Sequence, residues 1–108
     1  MNHRAYTKML LQDGPQGEIS LVRWADGVWS SPHDHGGAAG HVTVLEGAFE
    51  ERCFTRAEDQ LVLIDVRRWT VGDVIPITPD GVHAMRAGNG GVTLHVYGPQ
   101  TRPEREFP

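Results

Sequence analysis

Three histidines in two separated segments offer the clearest chemistry in this sequence. His33 and His35 flank Asp34 in Ser31-Pro32-His33-Asp34-His35-Gly36-Gly37, and His83 follows Pro79-Asp80-Gly81-Val82. Residues two apart on an extended chain point to the same face, so His33 and His35 can aim both rings into one cavity. Strand pairing can bring a third imidazole beside them, because a closed β-barrel places sequence-distant strands across a narrow lumen. Three neutral nitrogens on one side of a divalent ion leave its opposite side open, as a catalytic site requires and a closed structural site does not allow. An isolated His-x-His pair is more often a chance surface or core feature than a ligand set. Here glycines frame the segments at Gly27, Gly40 and Gly47 around the first and at Gly72 before the second, and that layout favours metal binding.

The elements that must position these residues read as short strands. Apolar stretches of strand length run over Ala5–Leu11, Ile19–Trp24, His41–Glu46, Ala48–Phe54, Leu61–Val66, Val74–Ile77 and Val92–Tyr97. Asp13-Gly14-Pro15, Ala25-Asp26-Gly27, Gly36-Gly37, Thr78-Pro79-Asp80-Gly81 and Gly88-Asn89-Gly90-Gly91 supply the positive-φ and fixed-φ positions that reverse a chain. No window of helical length holds a 3.6-residue apolar period, and Arg56–Leu63, the best candidate, reads as a charged loop entering a strand. The expected class is all-β with little or no helix, a sandwich or barrel of which the jelly roll is one form.

With 108 residues the chain has room for one domain, residues 1–108, with its core at about 5–98. The tail 99–108 holds three prolines and alternating charges without a core face, and is expected to lie extended along the surface or to fray. A net charge of −4 gives no electrostatic reason to bind phosphate backbones, and no apolar run reaches the roughly 20 residues of a membrane span. Nucleic acid and membrane are therefore not expected partners. The single cysteine, Cys53, cannot form an internal disulfide, and no leader signature opens the chain at Met1, so a cytoplasmic location is the default expectation. An edge strand could pair two copies, which leaves monomer and homodimer both open.

Thr93, His95 and Tyr97 alternate along one strand and should share a face, with Leu94 and Val96 forming the apolar opposite. Taken alone, such a His-x-Tyr pair is more often a satisfied core pair than a functional one. Trp24 and Trp29 could wall a pocket or fill the core, with core filling favoured. His41, one position after Gly40, should face outward, and Asp34 should turn away from its neighbours' cavity to accept backbone hydrogen bonds in the turn. Cys53 reads as a small buried apolar residue rather than a nucleophile.

Gly27-x5-His33-x-His35-x4-Gly40-x6-Gly47 resembles the first cupin motif, with Gly40 where most metal cupins place a glutamate ligand. Gly72 through Pro79-Asp80-Gly81 to His83 resembles the second. Within the cupins, the stretch from Trp24 to Gly37, Val44-Leu45-Glu46-Gly47 and Thr93-Leu94-His95-Val96-Tyr97-Gly98-Pro99 are together similar to the cysteine dioxygenase family of thiol dioxygenases. The likeness runs from about Tyr6 to Pro99.

The resemblance implies a cupin double-stranded β-helix, a jelly-roll barrel, holding Fe(2+) through His33, His35 and His83. It implies that Thr93 and His95 orient the phenol of Tyr97 toward a small thiol of the cysteine or 3-mercaptopropionate type and O2, the thiol leaving as its sulfinate. Without a carboxylate ligand, ferrous iron keeps its full positive charge, which favours a coordinated thiolate. Gly40 also stands where some relatives carry a cysteine cross-linked to the tyrosine, so that link cannot form here, and its lack of a side chain is expected to make space. The family's substrate carboxylate is held by an arginine or glutamine on the early strand; Lys8 aligns there, a point charge without arginine's planar fork. A solvated surface lysine is an equally good reading of Lys8, and Arg102 or Arg105 could compensate. Two rival functions stay open: a non-catalytic small cupin that senses a metal or ligand, and a zinc-dependent hydrolase or lyase built on the same three histidines.

Overall fold

The computed structural model describes residues 5–108; the opening at Met1, read above for a leader, lies outside them. Its eight strands are β1 (Tyr6–Gly14), β2 (Gly17–Trp24), β3 (Gly40–Glu46), β4 (Phe49–Ala57), β5 (Gln60–Trp69), β6 (Val74–Ile77), β7 (Val82–Ala87) and β8 (Gly91–Tyr97). They form two antiparallel sheets, β1-β2-β8-β3-β6 and β5-β4-β7, with no helix among the described residues. This is the all-β class anticipated from the turn spacing, and the double-stranded β-helix that the family resemblance implies.

Alternation explains how the sheets close on one another. In β3, Val42 and Val44 are buried while His41 and Leu45 are exposed, and in β2 the buried positions are Ser20, Val22 and Trp24. These inward residues pack with Phe49 of β4 and Ile75 of β6. The Phe49 ring meets Trp24 edge-on at 5.5 Å, a geometry favoured by the aromatic quadrupole.

Three expectations needed revision. Arg56–Leu63 is not a loop entering a strand: β4 and β5 form a hairpin in which Ala57 pairs with Gln60, and Glu58-Asp59 alone make the turn, with Glu58 at positive φ. β7 had no recognised signal, because Val82-His83-Ala84-Met85-Arg86-Ala87 is buried on both faces except at Arg86 and so lacks alternation. Finally, of the two expectations for the tail, the extended surface course holds and fraying does not. The tail returns as a strap over the His33–Gly37 segment, with Thr101 N–H donating to the Gly36 carbonyl at 2.8 Å and Phe107 N–H to the Pro32 carbonyl at 2.8 Å. Gly36 permits that approach: its φ is +64°, and a Cβ there would run into the Arg102 carbonyl oxygen.

Candidate metal centre

His33 and His35 sit on an extended crossover rather than in a sheet strand. Its register is set by β7: His33 N–H donates to the His83 carbonyl at 2.9 Å, and His83 N–H returns to the His33 carbonyl at 3.0 Å. That bridge places the ring of His83 4.8 Å from those of His33 and His35, which are themselves 5.0 Å apart. All three side chains are buried, and each offers a ring nitrogen within 4.8 Å of the other two.

Hydrogen bonding decides which nitrogens are free. His33 Nδ1 lies 2.8 Å from the Ser31 carbonyl, which can only accept, so Nδ1 carries the proton and Nε2 keeps its lone pair. His83 Nδ1 likewise donates to Glu51 Oε2 at 2.6 Å. His35 keeps a buried Nδ1 without a hydrogen-bond partner, an orphaned polar atom of the kind that a bound ion or ligand satisfies. Three clustered imidazoles, two of them with Nδ1 committed to an acceptor, suit a divalent transition metal.

Glu51 is the residue that sequence reading missed. It is buried on β4, where Trp69 Nε1 also donates to it at 3.0 Å. Burial pushes its carboxyl up, but the hydrogen bond and charge of His83, with the Trp69 bond, more than reverse this and hold it below its ordinary value. A signal was present, since Phe49, Glu51 and Cys53 share one strand face and a carboxylate between two apolar side chains needs a partner. A carboxylate behind a metal-binding histidine fixes the ring and raises its basicity, so Glu51→Gln is expected to weaken metal binding about 10–100-fold, measured by chelator competition.

Burial sets the charge state of the cavity. Desolvation, aided by the charge of His83, lowers His33 to about 4 and His95 to about 3, and desolvation with His83 and His33 lowers His35 to about 2, from an ordinary 6.5. The unfolded chain therefore takes up protons at a pH where the folded chain does not. Stability from these groups is fully present above about pH 6.5 and is lost as pH falls toward the folded values, each contributing about 1.4 kcal/mol per pH unit in that window. Urea unfolding of the metal-free protein should show flat stability above pH 7 and a steep decline below pH 6, with a shallower slope in His95→Gln.

Thr93, His95 and Tyr97 form a connected chain with a fourth member. Trp24 Nε1 donates to Thr93 Oγ1 at 2.8 Å, Thr93 Oγ1 lies 2.7 Å from His95 Nε2, and His95 Nδ1 lies 2.7 Å from Tyr97 Oη. An indole N–H can only donate, so Thr93 accepts there, and its own hydrogen is free to go to His95 Nε2. In the tautomer that accepts from Thr93, neutral His95 carries its proton on Nδ1 and donates to the Tyr97 oxygen. The phenol hydrogen is left for the cavity, which Tyr97 lines with its ring 5.1 Å from His35. Burial raises the phenol pKa well above its ordinary 10, so this proton stays in place at neutral pH. Trp24 thus both fills the core and anchors the relay.

Other residues fall differently from expectation. Gly40 opens no space, because a Cβ there would run into the Val96 carbonyl oxygen and the Tyr97 ring; the tyrosine occupies what the missing side chain vacates. Asp34 is buried and accepts from Gly36 N–H and Arg105 N–H at 3.0 Å each, and from Arg102 Nη1 at 3.0 Å, so it also ties the tail to the site. Lys8 lines the cavity, but its Nζ is 2.5 Å from Glu18 Oε2. Arg102 is committed to Asp34, and Arg105 lies over the Phe107 ring at 5.2 Å. Trp29 is half-buried beneath Arg52, 4.0 Å from its ring centre, rather than in the core. His41 is exposed. Burial and the neighbouring Glu51 push the half-buried Cys53 thiol up to about 11, which leaves it a poor nucleophile.

The cavity bounded by these residues measures about 60 Å³, room for roughly four to six water-sized groups. Similar barrels occur in solved structures. KdgF from Halomonas sp. matches with a TM-score of 0.71 at 19% identity, over 91% of this chain and 83% of that one. An uncharacterized conserved protein with a double-stranded β-helix domain from Klebsiella pneumoniae matches with a TM-score of 0.76 at 14% identity, over 100% and 89%. The S161A mutant of Bacillus subtilis oxalate decarboxylase matches at 0.76 and 11% identity, over 99% of this chain but 29% of that one. At these identities the likeness establishes the fold. No curated protein matches the sequence. The family model for cysteine dioxygenase type I, however, matches residues 1–107, almost the whole length. The barrel, its carboxylate-free histidine triad and the Thr93-His95-Tyr97 strand therefore sit in a chain that belongs to the cysteine dioxygenase type I family.

Proposed function

We propose that this protein is a non-haem iron dioxygenase that converts a small thiol to its sulfinate with O2. The observation that carries the reading is the buried triad of His33, His35 and His83, all imidazole and facing a cavity lined by the donor-poised Tyr97. Ferrous iron held by these three residues would supply the redox chemistry that lets O2 react with a thiolate. The reaction RSH + O2 → RSO2H balances without another reductant: sulfur gives up four electrons, O2 takes four, and both oxygen atoms end on sulfur.

The protein's own residues have separable tasks. His33 and His35 stay neutral through burial, and a divalent ion held by imidazoles alone would keep net positive charge where an anionic thiolate must bind. Trp24, Thr93 and His95 hold the Tyr97 hydroxyl as a donor toward the cavity, placed to stabilise negative charge on a reacting oxygen. The small volume restricts the substrate to a few heavy atoms and excludes bulk water.

Oxygen uptake by anaerobically Fe(II)-loaded protein, presented with cysteine, 3-mercaptopropionate, cysteamine or no thiol, tests the proposal. Uptake matched mole for mole by sulfinate is the expected result. Full iron loading without uptake for any thiol would refute it, and would favour a metal- or ligand-binding module; hydrolytic or lyase activity of a zinc-loaded form would favour the remaining alternative.

A further inference from the structure

Three charged side chains meet at the thiol site, and their arrangement bears on the end of the substrate remote from sulfur. Lys8 and Glu104 both line the cavity, while Glu18 holds Lys8 through the 2.5 Å contact. The Glu18 side chain is the more withdrawn from solvent of the two, at 23% exposure against 38% for Lys8. Among the described residues no other Lys or Arg lines this cavity. Among the described residues, Lys8 and Glu104 on the cavity wall and Glu18 on Lys8 sum to one positive and two negative charges.

Glu104 does not hang on a free tail. Its neighbour Arg105 is pinned on both sides: Arg105 N–H donates to Asp34 Oδ1 at 3.0 Å, and Asp34 N–H donates to the Arg105 carbonyl at 3.0 Å. Asp34 lies between two of the histidines, so the segment that holds the rings also fixes the acid at the entrance. Burial raises the Glu104 carboxyl above its ordinary value; the charge of Lys8 opposes this and that of Glu18 adds to it.

We propose that the site selects a small thiol bearing an ammonium group and no carboxylate, with Glu104 reading the ammonium and Glu18 keeping Lys8 from serving an anionic substrate. This rests on the thiol-binding reading above. A carboxylate thiol would have to displace Glu18 from Lys8 while facing Glu104, whereas an aminothiol meets a Glu104 that has no ion-pair partner among the described residues.

Anaerobic Co(II)-loaded protein allows binding to be read without turnover, through the thiolate-to-cobalt absorption band. Cysteamine is expected to bind about tenfold or more tightly than 3-mercaptopropionate at pH 7, with uncharged 2-mercaptoethanol between them. Glu104→Gln should narrow the cysteamine preference, Glu104→Lys should invert it, and Glu18→Gln should strengthen 3-mercaptopropionate alone by freeing Lys8. Equal or tighter binding of 3-mercaptopropionate by the unaltered protein would overturn the proposal, as would a preference untouched by either Glu104 substitution. Oxygen uptake by the Fe(II) form separates this failure from that of the dioxygenase reading. Thiols binding in the expected order without uptake would support charge selection and refute turnover. Uptake with the order reversed would refute charge selection alone, and absence of thiol binding would refute both.

Discussion

His83→Ala is expected to abolish stoichiometric metal binding and, with it, thiol oxidation. The substitution removes one of the three buried nitrogens and also strands Glu51, whose carboxylate keeps the Trp69 donor but loses its partner at 2.6 Å. A buried charge left without its partner costs about 3 kcal/mol or more, so the variant should also unfold at lower urea concentration. The double variant His83→Ala/Glu51→Gln separates the two effects. Removing the stranded charge should restore most of the stability without restoring metal. Equilibrium dialysis against Fe(II) or Co(II), with urea midpoints for both variants, checks this. Retention of one metal per chain in His83→Ala would show that the triad is not the centre.

Tyr97→Phe is expected to lower kcat for thiol oxidation about a hundredfold while leaving metal affinity unchanged. The argument follows the direction of hydrogen bonding rather than proximity. Trp24 can only donate to Thr93, and with the Thr93 hydrogen on His95 Nε2 the imidazole donates to the phenol oxygen and leaves the phenol hydrogen for the cavity. Phenylalanine keeps the ring against His35 and Gly40 but removes the final donor. Thr93→Val, of similar shape, breaks the chain further back and releases the His95 orientation. It should give a smaller fall in kcat, about tenfold, with KM for the thiol little changed. If Tyr97→Phe turned over at the normal rate, the relay would be structural only.

Each device explains why part of the site could be read from the chain and part could not. His33 and His35 were legible because two-residue spacing on any extended segment puts side chains on one face, a rule that holds here although the segment is a bridged crossover rather than a strand. Thr93, His95 and Tyr97 were legible for the same reason on β8. The turns were legible because glycine, proline and aspartate impose local backbone geometry. By contrast, β7 left no alternation to read, because both of its faces are buried, and the Glu58-Asp59 turn carries no glycine.

What the sequence by itself determined was local: an all-β chain, the absence of a disulfide, the histidines and the strand face that could serve them, and a family likeness written in those same motifs. What only the tertiary structure decided was pairing between distant residues. The chain offers no signal that Glu51 would stand behind His83 across 32 positions, that Trp24 would anchor Thr93 across 69, or that Asp34 would capture Arg105 across 71. Nor could it show that Lys8 would meet Glu18 or that Gly40 would be filled by Tyr97. Backbone geometry is set by each residue and its neighbours, whereas charge pairing, tautomer and burial depend on which strands the closed barrel brings together. The character of this site, with three imidazoles, Lys8 and Glu104 on one cavity wall, therefore appears only once the sheets have closed.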